Sequence, residues 1–284
     1  MADPLHCLKI SNRKRPAFRL LKFASILSGY IFIFTLTVKA GNFSFTNSLA
    51  LAVQAEKRGD LPAALLLCAT AETLASNNAA NLCALSHTYC DLTYLTNSVA
   101  IQKILLKQAL ACALQAVKAD PRNAVAHVSV AVCYAKSCAL SDIKTELAYS
   151  RLFKIEAEKT IALDPKQDVA YYLLGRWNYG LANVGLLSRT FAKVVYGGLP
   201  EASNEEAIRN FKKACELAPN RILNYAGLAQ AYAATGQKSL ELETLRKCCA
   251  LKAAAPEDLE AQEEAQKELE TNMPRGRRFQ PSTL

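Results

Sequence analysis

Residues 204–237, NEEAIRNFKKACELAPNRILNYAGLAQAYAATGQ, leave the chain few folds to choose from. Ala207, Phe211 and Ala214 follow one another at steps of four and three, which places them on one stripe of a helix that Pro219 closes. Tyr225, Leu228, Ala229 and Tyr232 recur with the same steps, and Gly236 supplies the left-handed residue that stops the second helix. Small residues stand where the two helices must touch, and large aromatics where a gap must be filled. Each helix shows an apolar stripe that one partner cannot cover, so the pair must stack on another pair.

The rest of the chain repeats the design. Residues 45–58 read as a helix ended by Gly59-Asp60, and Leu61-Pro62 opens a second with Ala64, Cys68 and Ala71 in register, broken by Ser76-Asn77-Asn78. Leu82, Leu85, Ser86 and Tyr89 then take the places of Tyr225, Leu228, Ala229 and Tyr232, as do His127, Val130, Ala131 and Tyr134, and Tyr171, Leu174 and Gly175. Long partner helices over 99–119 and 143–163 end at Asp120-Pro121 and Asp164-Pro165. The pattern resembles the tetratricopeptide repeat, with its aromatic, Leu-Gly, Tyr, Ala, Phe, Ala and Pro positions over about 34 residues. The expected fold is therefore all-α, a tetratricopeptide-like helical-hairpin solenoid over 41–256. The interval from Pro165 to Pro219 is too long for one repeat, and the excess falls on 180–203, an inserted helix and loop. An acidic helix with a thin apolar face, 257–273, has the make-up of a cap, and the tail 274–284 has the composition of a disordered end.

Composition bears on the partners. The net charge is +9, but it belongs to the ends. Lys9, Arg13, Lys14, Arg15, Arg19, Lys22 and Lys39 face a single acid, Asp3, at the amino terminus, and Arg275, Arg277 and Arg278 face none in the tail. The middle is neutral, so a nucleic-acid partner is not expected. The ten cysteines form no CxxC, and Cys68, Cys112, Cys133 and Cys215 fall in apolar helical runs, which suits small core residues in a reducing compartment. Cys248-Cys249 is a vicinal pair, by itself a weak sign of redox work. Behind the basic segment 1–19, residues 23–38 are uncharged and apolar; with Leu20 and Leu21, and with Lys22 and Lys39 snorkelling, 20–40 approaches the length of a membrane anchor. A cleaved secretory signal and a cleaved organelle presequence are the competing readings. The sequon Asn42-Phe43-Ser44 lies too close to that stretch to weigh.

Leu174-Gly175-Arg176-Trp177-Asn178-Tyr179, the run Arg189-Thr190-Phe191-Ala192-Lys193 inside the insertion, and the helix from Glu206-Ala207 to Pro219 come in an order that resembles the regulator of microtubule dynamics family. The resemblance covers roughly 50–273. Asn178 departs from the family's aromatic position, and no long spacer separates the apolar stretch from the repeats. What the resemblance implies is a non-enzymatic scaffold or adaptor, held to a membrane and binding a protein or phospholipid through its repeats, with organelle tethering as a consequence. Microtubule association is the alternative. It also favours a mitochondrial outer membrane with the repeats in the cytosol. An endoplasmic-reticulum membrane, or a cytoplasmic or cytoskeletal protein lacking the amino-terminal segment, remains open.

No catalytic constellation is legible. His6, His87 and His127 are scattered, there is no HExxH, serine elbow or glycine-rich phosphate loop, and Cys83 four residues before His87 is too little for a metal; no cofactor is expected. His127 stands in the aromatic place and reads as packing. Counting from that place, the concave face should carry His87, Asp91, Val132, Lys136, Tyr172, Arg176 and Gln230, an apolar mixture with isolated charges that suits an amphipathic helix or an acyl chain with a carboxylate or phosphate. In the insertion, Leu186, Leu187, Phe191, Val194 and Val195 make an apolar face opposite Arg189 and Lys193, the make-up of a helix that lies on a membrane or packs on a neighbouring repeat.

Overall fold

A computed structural model describes residues 44–254 and 256–272. The stretches 1–19, 20–40 and 274–284, with the anchoring and disorder expected of them, lie outside the described residues. The fold is all-α. Its helices are α1 (Phe45–Lys57), α2 (Leu61–Leu74), α3 (Ala79–Leu92), α4 (Val99–Ala119), α5 (Ala124–Cys138), α6 (Ile143–Leu163), α7 (Asp168–Ala182), α8 (Leu186–Tyr196), α9 (Asn204–Leu217), α10 (Ile222–Ala234), α11 (Lys238–Ala250) and α12 (Pro256–Asn272). They pair as α1/α2, α3/α4, α5/α6, α7/α9 and α10/α11, with α12 packed on α10 and α11.

Local chemistry sets these boundaries. Ser44, Asp60, Asn78, Ser98, Asn123, Asp142 and Ser203 each accept a backbone N–H with the side chain at a helix start, a cap that contributes about 1 kcal/mol. Between pairs the chain makes one turn three times. The N–H groups of Asn123, Gln167 and Arg221 donate to the carbonyls of Asp120, Asp164 and Ala218. In the first two the aspartate also accepts from the backbone two residues on, at Arg122 and Lys166. Proline at the turn's second position fixes φ and ends the preceding helix.

The core runs along the solenoid as successive clusters. Alanine and cysteine form much of the first, with Ala52, Ala55, Ala64, Cys68 and Ala71 buried beneath Leu82, Leu85 and Tyr89. Helix α4 is long and apolar enough to cross a bilayer by length and composition, yet its Leu105, Ala109, Cys112 and Ala116 are buried in that cluster as a repeat helix. The tightest junction joins α7, α9 and α10. Phe211 is fully buried, and its ring lies against the backbone of two glycines. A Cβ added at Gly175 would fall 2.7 Å from the ring, and one added at Gly227 would meet it closer still. Tyr172 stacks obliquely on the same ring, centroids 5.9 Å apart.

The aromatic place of the repeat has a hydrogen-bonding role besides packing. His127 donates from Nε2 to the Pro121 carbonyl at 3.0 Å, and the Tyr225 hydroxyl donates to that of Pro219 at the same distance. Each thereby pins a helix to the turn that precedes it. The other ring nitrogen of His127 meets Glu156 of α6 at 2.6 Å. The ring thus bridges a backbone carbonyl and a carboxylate. Burial works against the Glu156 charge, but the hydrogen bonds from His127 and Lys159 outweigh it and hold the carboxyl below the usual range.

Candidate functional site

The first helices of successive pairs, α3, α5, α7 and α10, touch one another in series and form the inner wall. Their exposed stripes carry the polar groups. On α3, His87 reaches solvent and its Nε2 lies 3.3 Å from the Ser129 hydroxyl of α5. Desolvation by the surrounding wall, together with the charges of Arg221 and Lys136, depresses the His87 imidazole. The carboxyl of Asp91, one turn further, makes no hydrogen bond among the described residues, and burial pushes it up to about 7 against the pull of Lys136. Glu56 at the end of α1 and Glu257 at the start of α12 also raise it. Charges on the first and last helices thus both act on this carboxyl.

Lys136 of α5 is the central cation. It is half-buried, donates to the Tyr94 hydroxyl at 2.9 Å and lies 4.2 Å from the centre of that ring. Burial opposes its charge, but the negative charge that Tyr94 and Cys90 would carry once ionised, the hydrogen bond to Tyr94 and the carboxylate of Glu257 outweigh burial and hold the ammonium above its ordinary value. Burial in turn pushes the Tyr94 phenol up to about 12. A charged lysine whose hydrogen-bond partner is a neutral phenol keeps capacity for an anion. Further along, Arg176 of α7 reaches Gln230 of α10 at 3.5 Å.

The structure therefore brings His87, Asp91 and Lys136 to one end of the wall and Arg176 and Gln230 to the other. Val132 and Tyr172 are partly committed to the core between them. Of the repeat positions, Gly175, Ala207, Phe211, Ala214, Leu228 and Tyr232 are buried, Leu174 and Tyr225 half-buried and Pro219 exposed. Sequence reasoning missed Tyr94, because it sits in the 3-10 turn Thr93–Leu95 beyond the helix proper. Cys83, His87, Asp91 and Tyr94 nonetheless keep the helical spacing, and extending the count by one turn finds it. It also missed the Arg221–Asp168 ion pair, at 2.9 Å, and Asn224, whose side-chain amide donates to the Ala214 carbonyl at 2.9 Å. The described cysteines are free thiols, and burial pushes Cys68, Cys112, Cys138, Cys215 and Cys248 up to about 12, which keeps them protonated.

Helix α8 stands apart from this wall, in the connection between α7 and α9. Leu186 and Leu187 are each 80% exposed and Val194 81%; Phe191 and Val195 are about half exposed. Lys193 is exposed as well. Arg189 is already engaged. It donates to the carbonyl of Val184 at 3.1 Å, to that of Ala182 at 3.2 Å and to that of Leu181, so it caps the end of α7.

Fold and inner wall define a helical-repeat protein of the tetratricopeptide type. A thermophilic tetratricopeptide-repeat protein of Thermus thermophilus has the same fold, at 18% identity and a TM-score of 0.55 over 80% of this chain and 99% of that one. The chain belongs to the family described as Regulator of microtubule dynamics protein 1-3, whose model matches residues 46–273. It is 32% identical to Regulator of microtubule dynamics protein 1 of Mus musculus over 58% of this chain and 54% of that protein. To protein 2 of Macaca fascicularis it is 30% identical over 54% of this chain and 38% of that protein. The matched region thus spans about half of the mouse protein's length and less of the macaque protein's.

Proposed function

We propose that the chain is a non-enzymatic scaffold whose inner wall holds the anionic end of an amphipathic partner, a phospholipid or an acidic amphipathic helix, while residues 20–38 hold it to a membrane. The observation that carries this reading is Lys136, an ammonium on the inner wall whose hydrogen bond goes to a neutral phenol. Arg176 supplies a second cation, and apolar side chains between them suit an acyl chain or a helix face. A cytosolic domain on the mitochondrial outer membrane fits this reading and the free thiols, and a domain so anchored would tether its partner's membrane to its own.

Native mass spectrometry of the full chain after extraction from liposomes tests it. Wild type is expected to retain a phospholipid, and Lys136→Met, which keeps the aliphatic stem, to lose most of it. Equal retention by both would sink the lipid form of the assignment. The alternative, a microtubule-associated protein, draws on the relatives' names and on the basic ends of the chain. Co-sedimentation with microtubules at physiological salt decides it: no pelleting removes that reading.

A further inference from the structure

Helix α8 has an apolar face that the solenoid leaves uncovered, and its attachments show which way that face points. Arg189 is tied to the carbonyls at the end of α7, and Ala192, one turn on along the same side, is buried. Leu187 and Val194 lie on the opposite side, Leu186 and Val195 flank it, and all four are turned to solvent. Gly185 opens the helix, and Gly197 and Gly198 close it with φ of 76° and 108°, conformations that glycine takes without strain. A short amphipathic helix is thus held by its polar side, apolar side outward, between two glycine joints.

We propose that α8 docks on an anionic lipid surface, with Leu186, Leu187, Val194 and Val195 entering the headgroup boundary and Lys193 beside the lipid phosphates. Charge favours this occupant. Residues 185–200 contain Arg189 and Lys193 and no acid, and lysine flanking an apolar face is the pattern of interfacial helices. Size argues against a second copy of the chain. At 11 residues the helix is about 16 Å long, far too small to bury the roughly 800 Å² per partner of a stable protein interface. A lipid surface needs no such complementary area, since each apolar side chain gains separately as it leaves water.

The test places a reporter on the face in the full chain. Leu187→Trp is mixed with phosphatidylcholine/phosphatidylserine vesicles whose acyl chains carry bromine. Trp177, the one native tryptophan, is buried in the solenoid and out of reach of the acyl chains, so the expected result is a vesicle-dependent blue shift with bromine quenching, neither of which wild type shows on adding vesicles. Val194→Glu in that background should weaken the vesicle dependence of the quenching about tenfold, roughly 1.4 kcal/mol. Because quenching reports on position 187 and not on attachment of the chain, binding through 20–38 does not mimic it. An unquenched reporter on vesicle-bound protein would overturn the proposal. So would blue-shifted emission from position 187 without vesicles, read as the difference between Leu187→Trp and wild type, which means that protein covers the face, a second copy if the shift depends on concentration and another part of this chain if it does not. Equal quenching on purely phosphatidylcholine vesicles would overturn the anionic requirement.

Discussion

Helices α8 and α9 follow each other in the chain, both are strongly amphipathic, and each centres its apolar face on a phenylalanine. Phe211 of α9 is fully buried and Phe191 of α8 is 53% exposed. The difference lies in what each face meets. The α9 face finds two glycines, Gly175 and Gly227, whose missing side chains make room for one ring. On α8, Leu186, Leu187 and Val194 stay 80% or more exposed, while its polar side is fixed by Arg189 on the end of α7. An apolar stripe therefore states that a helix has a partner. Whether the partner is inside the molecule depends on a surface contributed by residues far away in sequence.

Three measurements strain that contrast, and the largest effect belongs to the buried ring. Phe211→Ala should cost about 3–5 kcal/mol in chemical unfolding. Gly227→Ala, which forces a methyl group onto the ring, should cost about 1–3 kcal/mol and much less once Phe211 is already alanine. Additive costs would mean that the two do not share a contact. Next comes Asp91, whose carboxyl is raised from 3.8 to about 7 chiefly by burial, with Glu56 and Glu257 adding to it and Lys136 opposing. The folded state holds that proton more tightly than the unfolded one, so ionisation destabilises the fold progressively as pH rises from about 4 through 7. Asp91→Asn should therefore match wild type near pH 4 and exceed it above pH 7, by up to about 4 kcal/mol before solvent screening of this part-exposed group reduces it; a constant offset across that range would show the carboxyl to be ordinary. Smallest is Leu187→Glu. With no packing to lose, it should move the unfolding free energy by no more than about 0.5 kcal/mol, and a loss comparable to that of Phe211→Ala would place α8 inside the fold.

Much of this was legible beforehand, because the carriers are local. Asn78, Ser98, Asn123 and Asp142 cap helices through backbone groups two or three residues away, and the prolines act on their own turns. Spacing also put Gly175 and Phe211 on the faces that meet. The site was legible only as a stripe. Counting turns put His87, Asp91, Lys136, Arg176 and Gln230 on one wall. It could not show that Lys136 would hydrogen-bond Tyr94, that Glu56 and Glu257 from opposite ends of the chain would act on Asp91, or that Arg189 would cap α7 and leave α8 outward.

The sequence by itself determined an all-helical solenoid with an insertion before its fourth partner helix, since helix periodicity, caps and turn residues act over a few residues and need no knowledge of the rest. Only the tertiary structure decided how the inner wall is charged and where the insertion faces. Both depend on how successive pairs rotate about one another, a sum of small packing angles that brings residues far apart in sequence within reach of a single carboxylate and leaves one amphipathic helix without a seat.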